Sequence, residues 1–280
     1  MDKVTIRDLS GVAQTLLITL YIRAIESQRP DALLKDEKAI ELVSKRESDF
    51  QQIKKIKLDE HDKVIIILRN QQFDRFTCEF IHRHPNAIVV HIGCGLDSRF
   101  ERVDNGRVVW YDLDLPEVIE LRRKFIGEEK ERYHYLTYSV FDKAWLDKLR
   151  TNKKHNFLFL AEGVFMYFKE TQIKDFVHML NNHFPGSELV FDAFSPLFVK
   201  LNNLRFKISR AKIVAHYQWG LNYGKDLETW CDGVSLLDEW FPFNSPEPRL
   251  ANYRWVRHIP QLAKAMGIYH YRIGSEYNVQ

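Results

Sequence analysis

The sequence predicts an α/β fold in which a mostly parallel β-sheet is covered by helices and preceded by a helical N-terminal segment. Two observations carry this prediction. Short apolar runs alternate with helical stretches from residue 87 onward, beginning with Ile88–Ile92. That run ends at Gly93-Cys94-Gly95, and the next strand-like run ends at Asp112 and Asp114. A glycine turn after one strand and carboxylates after the next are typical of nucleotide-binding α/β proteins.

The N-terminal residues have the pattern of amphipathic helices. An apolar stripe at helical spacing is formed by Leu16, Leu17, Leu20, Tyr21, Ala24 and Ile25. A longer helical segment extends from Asp59 to His84 and stops before Pro85, because proline disfavours helix in the preceding residue. Residues 1–86 are therefore predicted to form a helical cover over the domain that follows.

The predicted α/β domain comprises residues 87–194 and 257–280. Its first five strands are predicted at Ile88–Ile92, Arg107–Tyr111, Tyr133–Tyr138, Phe157–Leu160 and Glu188–Phe191. Helices lie between them, among them Pro116–Ile126, where a proline suits the first helical position. The chain is predicted to end with a helix near Gln261–Met266, a cap at Gly267 and a last strand at Tyr269–Ile273.

Residues 195–256 break this alternation and form an aromatic-rich insertion after strand five. They contain the tryptophans Trp219, Trp230, Trp240 and Trp255. Two interpretations fit the composition equally well, a lid over a substrate or additional helices that enlarge the core. If the segment is a lid, we expect it to close over the glycine turn together with the N-terminal helices.

Composition limits the function classes. The net charge of +3 over 280 residues gives no basic excess for nucleic acid or an anionic membrane. The three cysteines, Cys78, Cys94 and Cys231, are too few for a disulfide framework or a four-cysteine zinc site. The histidines lack the spacing of a metal site, and the first residues lack a signal-peptide core. We expect a cytoplasmic protein that binds neither metal, membrane nor nucleic acid.

The glycine turn favours a nucleoside ligand without a pyrophosphate. Asp114 lies 19 residues after Gly95, the spacing at which an acid reaches a ribose hydroxyl. The third glycine of the dinucleotide pattern is replaced by Ser98, and that glycine normally allows close packing over a pyrophosphate. S-adenosylmethionine is thus favoured over NAD. An NAD-dependent oxidoreductase and a tight turn without a ligand remain alternatives.

Other polar residues follow the predicted strands, where ligands of open α/β sheets bind. Ser139-Val140 follow strand three, and Glu162 follows strand four. Glu162 could pair with a ligand ammonium group or cap a loop. Arg69 ends an apolar run and could hold a carboxylate through two hydrogen bonds, or lie on a helix surface. A hydrolase is disfavoured, because the sequence has no Gly-x-Ser-x-Gly elbow.

Four stretches of the chain resemble the leucine carboxyl methyltransferase family, in the bacterial branch similar to the tetracenomycin polyketide O-methyltransferases. They are Thr15–Ser27 with Arg29–Asp31, His91–Phe100, Trp110–Val118 and Ala161–Tyr167. The resemblance implies a class I methyltransferase with a Rossmann-like sheet, an enzyme that uses S-adenosylmethionine as its methyl donor.

The resemblance also implies roles for individual residues. Gly93, Cys94 and Gly95 would line the methionine part of the cofactor. Asp114 would hold the ribose hydroxyls, with Asp112 as a second carboxylate nearby.

Further residues would hold the two ends of the cofactor. Glu162 would face its ammonium group and Arg69 its carboxylate, for which Arg23 is a second candidate. The family usually has Asp-Leu for the adenine contact where this chain has Ser139-Val140. A serine hydroxyl contacts an adenine amino group more weakly than a carboxylate does, so a lower cofactor affinity is expected.

The expected reaction is methyl-ester formation on a small-molecule carboxylate. A carboxylate is ionised at neutral pH, so its methylation needs no strong base. Tyr167, after strand four, could orient the acceptor, or its ring could belong to the core. A protein carboxyl methyltransferase is an alternative. A non-catalytic nucleoside-binding or interaction protein is an alternative of another class, because Ser139 departs from the family pattern.

Overall fold

The computed structural model describes residues 11–51, 53–56, 58–149, 156–209 and 216–274. The strands in these ranges are β1 (Ile88–Ile92), β2 (Val109–Asp114), β3 (Tyr133–Thr137), β4 (Phe157–Ala161), β5 (Ser187–Phe194), β6 (Ser235–Trp240) and β7 (Met266–Ile273). They form one sheet in the order β3-β2-β1-β4-β5-β7-β6. The neighbours from β3 to β5 pair in parallel, and β7 runs antiparallel to both β5 and β6. The predicted mostly parallel α/β sheet is confirmed.

Helices surround this sheet. They are α1 (Gly11–Ser27), α2 (Glu37–Lys45), α3 (Glu47–Phe50), α4 (Glu60–Arg83), α5 (Arg99–Val103), α6 (Pro116–Phe125), α7 (Ala144–Leu149), α8 (Glu170–His183), α9 (Pro196–Ser209) and α10 (Pro260–Ala263). Across the described ranges, each helix is too short or too polar to span a membrane.

Burial on both faces explains the apolar strands. All five side chains of β1 are buried. Alternate residues point to opposite faces of a strand, so Val90 packs with Phe159 on one side of the sheet and Val89 packs with Trp110 on the other. Parallel strands covered on both faces are therefore continuous apolar runs rather than alternating ones.

The strand order creates a switch point at the centre of the sheet. Strand β1 lies between β2 and β4, with His91 opposite Asp112 on one side and Ile92 opposite Ala161 on the other. Because these strands are parallel, the residues that follow them emerge at one edge. The crevice at this point is where ligands of open α/β sheets bind.

The C-terminal prediction was partly wrong. The helix predicted at Gln261–Met266 is only the short α10, and Gly267 lies within β7 instead of capping a helix. A Cβ at Gly267 would approach Phe241 to 2.7 Å and Tyr269 to 2.8 Å. Close packing across the strand, which a single sequence does not show, therefore explains this glycine.

The segment 195–256 is not separate from the sheet. It contains β6, which pairs with β7 from Ser235 to Trp240. Its remaining described parts are α9 and short 3₁₀ helices. Only half of the β6 positions are partly buried and none is fully buried, so this edge strand lacks the apolar run that marks the inner strands.

A buried glutamate paired with a partly exposed arginine stabilises the opposite end of the sheet. Arg83 donates from both terminal nitrogens to the two oxygens of Glu188, each at 2.8 Å. His270 Nε2 lies 2.7 Å from Glu188 Oε2. Burial alone would raise the pKa of Glu188, but Arg83 and His270 outweigh it and lower that pKa from 4.5 to about 2.

Replacing Glu188 by glutamine should destabilise the protein at neutral pH by about 2 kcal/mol. Because its pKa is lower in the folded than in the unfolded state, the carboxylate stabilises the fold above its ordinary pKa, and this contribution is lost as the pH falls toward 2. Urea unfolding should thus show a difference between wild type and Glu188→Gln that shrinks as the pH is lowered from 7. The exposed Glu79→Gln should change stability much less. A difference that is constant with pH would contradict this account.

Candidate functional site

A cavity of about 880 Å³ opens at the carboxyl edge of the sheet. Its inner end is formed by the glycine turn after β1 and by Glu162 and Gly163 after β4. Helices α1, α4 and α9 supply the side walls, and the 3₁₀ segments near Phe243 and Tyr253 complete them. The volume falls within the range of small-molecule and cofactor sites. Residues of the N-terminal helices and of the segment 195–256 both line the cavity, and their role as a cover stays a prediction.

The glycine turn depends on two glycines. Gly93 and Gly95 have φ angles of 61° and 49°, in the left-handed region that favours glycine. A Cβ at Gly93 would lie 2.5 Å from Val164 Cγ2, and one at Gly95 would lie 2.6 Å from Leu16 Cδ2. Both positions therefore require glycine for conformation and for the close approach of neighbouring elements.

A buried arginine stabilises this turn by hydrogen bonds to its carbonyl oxygens. Arg122 of α6 donates to the carbonyl oxygens of Gly95 at 2.7 Å and Asp97 at 2.8 Å. It also forms an ion pair with Asp112, which accepts a hydrogen bond from Tyr133 Oη. Burial opposes ionisation of Asp112, but Arg122 lowers its pKa below the ordinary value. Asp112 is fully buried between Arg122 and Tyr133, so its carboxylate supports the turn, and its predicted contact with the cofactor stays a prediction.

Asp114 ends β2 directly beside the turn. Its Oδ2 accepts from the backbone N–H of Gly95 at 2.9 Å, and its Oδ1 accepts from that of Leu115 at 2.8 Å. Burial raises the pKa of this half-buried carboxyl. The loop after β3 lies next to it, since Tyr138 N–H donates to the Asp114 carbonyl at 3.1 Å. Ser139-Val140 follow in that loop; they and Asp114 lie outside the main cavity lining.

Glu162 is the centre of a charge cluster at the inner end. It accepts from Arg69 Nε at 2.8 Å, Asn70 Nδ2 at 3.0 Å and Arg99 Nη2 at 2.6 Å. Burial would raise the pKa of Glu162, but Arg69 and Arg99 outweigh it and hold that pKa below 4.5. The carboxylate is therefore ionised at neutral pH and a weak proton acceptor.

Two arginines line this end of the cavity. Arg69 of α4 also donates to Asp192 at 3.1 Å, at the end of β5. Arg23 of α1 donates to Asp36 at 3.0 Å and to the Leu96 carbonyl at 2.7 Å. The structure thus brings both predicted arginines to the same cavity from different helices, Arg23 beside the glycine turn and Arg69 beside Glu162.

Four charged residues of the site were missed by the sequence prediction, namely Asp97, Arg99, Arg102 and Asp192. Asp97 lines the cavity, and Arg99 and Arg102 approach it to 3.1 Å and 3.0 Å. Burial opposes its ionisation, yet these arginines hold the pKa of Asp97 well below its usual range. Asp97 and Arg99 belong to the Gly-Cys-Gly-Leu-Asp-Ser-Arg stretch. Their charged side chains directly after the glycine turn could have indicated that they belong to the site. For Asp192, the only signal was a carboxylate within an apolar strand.

Beyond the charge cluster the wall is largely apolar. Tyr167 lines the cavity and hydrogen-bonds to Tyr217, with ring centroids 5.6 Å apart. Burial raises the pKa of Tyr167, so the phenol is neutral and can orient a ligand without acting as a strong base. The apolar lining includes Leu58, Ile65, Ile66, Met166, Phe194, Phe198, Phe243 and Met266. Near the opposite side of the cavity, Tyr253 Oη lies 3.0 Å from His61 Nδ1, and His61 Nε2 lies 3.1 Å from Asp62.

Comparison with known proteins decides the family. The sequence profile of leucine carboxyl methyltransferase matches residues 16–181. The chain belongs to the leucine carboxyl methyltransferase family. It is 34% identical over 276 residues to the tetracenomycin polyketide synthesis O-methyltransferase TcmP of Streptomyces glaucescens, covering 95% of this chain and 98% of that protein. It is 28% identical over 263 residues to the S-adenosyl-L-methionine-dependent methyltransferase dpfgK of Gibberella zeae, covering 89% and 88%.

Solved structures agree with the fold of this methyltransferase. A DUF574 family protein from Streptomyces avermitilis has a TM-score of 0.56 at 14% identity, covering 91% of this chain and 96% of that one. A Thermobifida fusca protein described as a candidate methyltransferase has a TM-score of 0.53 at 11% identity, covering 91% and 94%. These similarities concern the fold, which is that of a class I methyltransferase.

Family membership confirms the predicted enzyme class and cofactor: the protein is an S-adenosylmethionine-dependent methyltransferase. The NAD-dependent and non-catalytic alternatives are wrong. The donor set of the site fits the cofactor, because an ionised Glu162 suits an ammonium group and Arg23 and Arg69 suit a carboxylate. Gly163, which follows Glu162, has a φ of 70°, in the left-handed region that favours glycine.

Proposed function

We propose that this methyltransferase transfers the methyl group to a carboxylate oxygen of a small molecule and forms a methyl ester. The observation that carries the proposal is the protonation state of three side chains that line the cavity, Asp97, Glu162 and Tyr167. Asp97 and Glu162 have lowered pKa values and are held by arginines, and Tyr167 has a raised pKa. These side chains are poor bases at neutral pH, whereas a carboxylate acceptor is already deprotonated.

A small acceptor agrees with the shape of the site. The cavity joins the charge cluster at the glycine turn to a chamber walled by aromatic and aliphatic side chains. Such enclosure suits a ring-containing molecule better than a protein tail. A relative that is similar over nearly its whole length is named as a polyketide synthesis O-methyltransferase, which supports a polyketide-like acceptor.

We assign the cofactor contacts by chemistry and position. Glu162 would hold the ammonium group, and Arg69 and Arg23 the carboxylate, of the methionine part. The turn Gly93–Gly95 would approach that part closely because Gly93, Cys94 and Gly95 add little bulk. Asp114 would accept the ribose hydroxyls.

The adenine contact is the weaker part of the assignment. We propose that Ser139 and Val140 border the adenine, because their loop lies beside the end of β2. Ser139 Oγ accepts from the Phe141 N–H at 3.3 Å and keeps its own O–H available. A neutral hydroxyl at this position supports a modest cofactor affinity.

In the proposed reaction, the protein positions the cofactor and the acceptor and excludes water from the site. S-adenosylmethionine supplies an activated sulfonium methyl group when it is bound. The residues at the inner end fix its charged groups, and the apolar wall excludes water that would compete with the acceptor. The phenol of Tyr167 lines the cavity beside Tyr217, to which it hydrogen-bonds, and this pair can contact the acceptor and orient it.

Isotope transfer tests this function. The protein is incubated with S-adenosylmethionine labelled in the methyl group and with a metabolite extract enriched in aromatic acids. We expect label in a small molecule that loses it as methanol under mild alkali, as a methyl ester does. Label that resists alkali on nitrogen or carbon would overturn the proposal. Label in the protein fraction would favour protein carboxyl methylation instead.

Asp114→Ala should weaken cofactor binding at least tenfold while the unfolding temperature changes little. A charge-assisted hydrogen bond to a ribose hydroxyl contributes roughly 1.5–3 kcal/mol, and a tenfold change is about 1.4 kcal/mol. Isothermal titration with S-adenosylhomocysteine measures the affinity. Asp142→Ala, another aspartate that caps a backbone N–H in a loop, serves as the control. Unchanged affinity in Asp114→Ala would restrict Asp114 to its backbone contacts with Gly95 and Leu115.

We also propose a cytoplasmic location. Cys78, Cys94 and Cys231 are all free thiols in the structure, as is usual in a reducing compartment. The expected absence of membrane, metal and nucleic-acid partners stays a prediction.

A further inference from the structure

One wall of the cavity carries an arginine that the cofactor assignment does not use. Arg205 of α9 lines the cavity and is exposed. Among the residues that the structure describes, it has neither a hydrogen bond nor an ion pair. The other cavity arginines differ, because Arg23 is paired with Asp36, and Arg69 with Glu162 and Asp192.

Arg205 belongs to a continuous face of α9. Phe198, Asn202 and Arg205 all line the cavity, and their spacing of four and three residues places them on one side of the helix. At a rise of 1.5 Å per residue, Arg205 lies about 10 Å along the axis from Phe198. The face therefore leads from an aromatic side chain near the end of β5 to an amide and a guanidinium at an exposed position.

The carboxylates of the cavity do not neutralise this arginine. Three of them line it, and two of these, Asp97 and Glu162, are held by inner arginines. The third, Asp62, lies beside His61. Because no carboxylate of the described ranges pairs with Arg205, its guanidinium is a ready partner for an anionic group, which it can bind through two parallel hydrogen bonds.

We propose that Arg205 and Asn202 bind a second acidic group of the acceptor, remote from the oxygen that is methylated. The acceptor class is then an aromatic acid with acidic groups at opposite ends of its ring system. Its rings would lie against Phe198, Tyr217 and Phe243, which line the cavity. This inference rests on the proposed function and specifies its substrate class.

Three naphthalene acids test the proposal. They are 2-naphthoate with one carboxylate, 2,6-naphthalenedicarboxylate with carboxylates at opposite ends, and 2,3-naphthalenedicarboxylate with the same charge but adjacent groups. Binding of each is measured by isothermal titration to the protein saturated with S-adenosylhomocysteine. We expect the 2,6-diacid to bind at least tenfold more tightly than the other two acids.

Two variants test whether Arg205 causes the tighter binding of the 2,6-diacid. Arg205→Gln should abolish the advantage of the 2,6-diacid and leave the affinity for 2-naphthoate and S-adenosylhomocysteine unchanged. Arg254→Gln, at another exposed arginine that does not line the cavity, should keep the advantage.

The outcomes separate this inference from the proposed function. Equal binding of the three acids, binding of none of them to the cofactor-loaded protein, or an advantage that survives in Arg205→Gln would overturn the inference alone. The proposed function is judged by the alkali-labile label in the isotope experiment, which does not depend on Arg205.

Discussion

Glu162→Gln is expected to weaken S-adenosylmethionine binding at least a hundredfold, about 2.7 kcal/mol. Glutamine keeps the shape of the side chain but removes the negative charge that would face the cofactor ammonium group. The side chain is only 8% exposed, so water cannot replace the lost interaction. Arg69 and Arg99 would also lose their shared carboxylate partner. Isothermal titration with S-adenosylmethionine and S-adenosylhomocysteine measures the effect.

The control for this variant is Glu188→Gln, which also removes a buried glutamate paired with an arginine. Glu188 lies at the start of β5 and does not line the cavity. It should lower stability and leave cofactor affinity unchanged. If Glu162→Gln binds the cofactor as the wild type does, Glu162 only bridges Arg69 and Arg99 and does not contact the ligand.

Arg122→Met should have the largest effect on stability, a loss of about 3–5 kcal/mol. Methionine fills much of the volume but leaves Asp112 as an uncompensated buried charge. The carbonyls of Gly95 and Asp97 would also lose their donor, so the glycine turn would loosen and cofactor affinity should fall at least tenfold. Urea unfolding and isothermal titration measure the two effects separately.

The double variant Arg122→Met with Asp112→Leu distinguishes the two roles of the arginine. Removing both charges should restore part of the stability, because an apolar pair costs less than one buried charge. It should not restore cofactor affinity, since the carbonyls of the turn stay without their donor. Arg123→Met, on the exposed side of the same helix, should change neither property appreciably. Recovery of both properties in the double variant would show that Arg122 only balances Asp112.

The sequence was most informative where local patterns decide the structure. The run Ile88–Ile92 is apolar because both of its faces are buried, and the glycines after it are required by positive φ angles. The long helix predicted from Asp59 to His84 is α4, Glu60–Arg83. These features depend on neighbours in the chain, which a single sequence displays.

Features that depend on distant residues could not be predicted in this way. The charge cluster joins Arg69 to Glu162 across 93 positions and to Asp192 across 123. Asp112 has the same residue type and nearly the same position as Asp114, yet Asp112 is fully buried beside Arg122 whereas Asp114 is half buried beside the glycine turn. Neither spacing nor composition distinguishes these two environments.

The contact between Leu16 and the glycine turn connects local unfolding of α1 with ligand binding. A Cβ at Gly95 would lie 2.6 Å from Leu16, so α1 packs directly on the glycine turn. If the cofactor binds at this turn as proposed, local unfolding of α1 and ligand dissociation are thermodynamically coupled, and the coupling is reciprocal. Amide hydrogen exchange in the described part of α1 should slow as S-adenosylhomocysteine saturates the protein, while exchange in α8 stays constant. The N-terminal helix would thereby report ligand occupancy through its own protection from solvent.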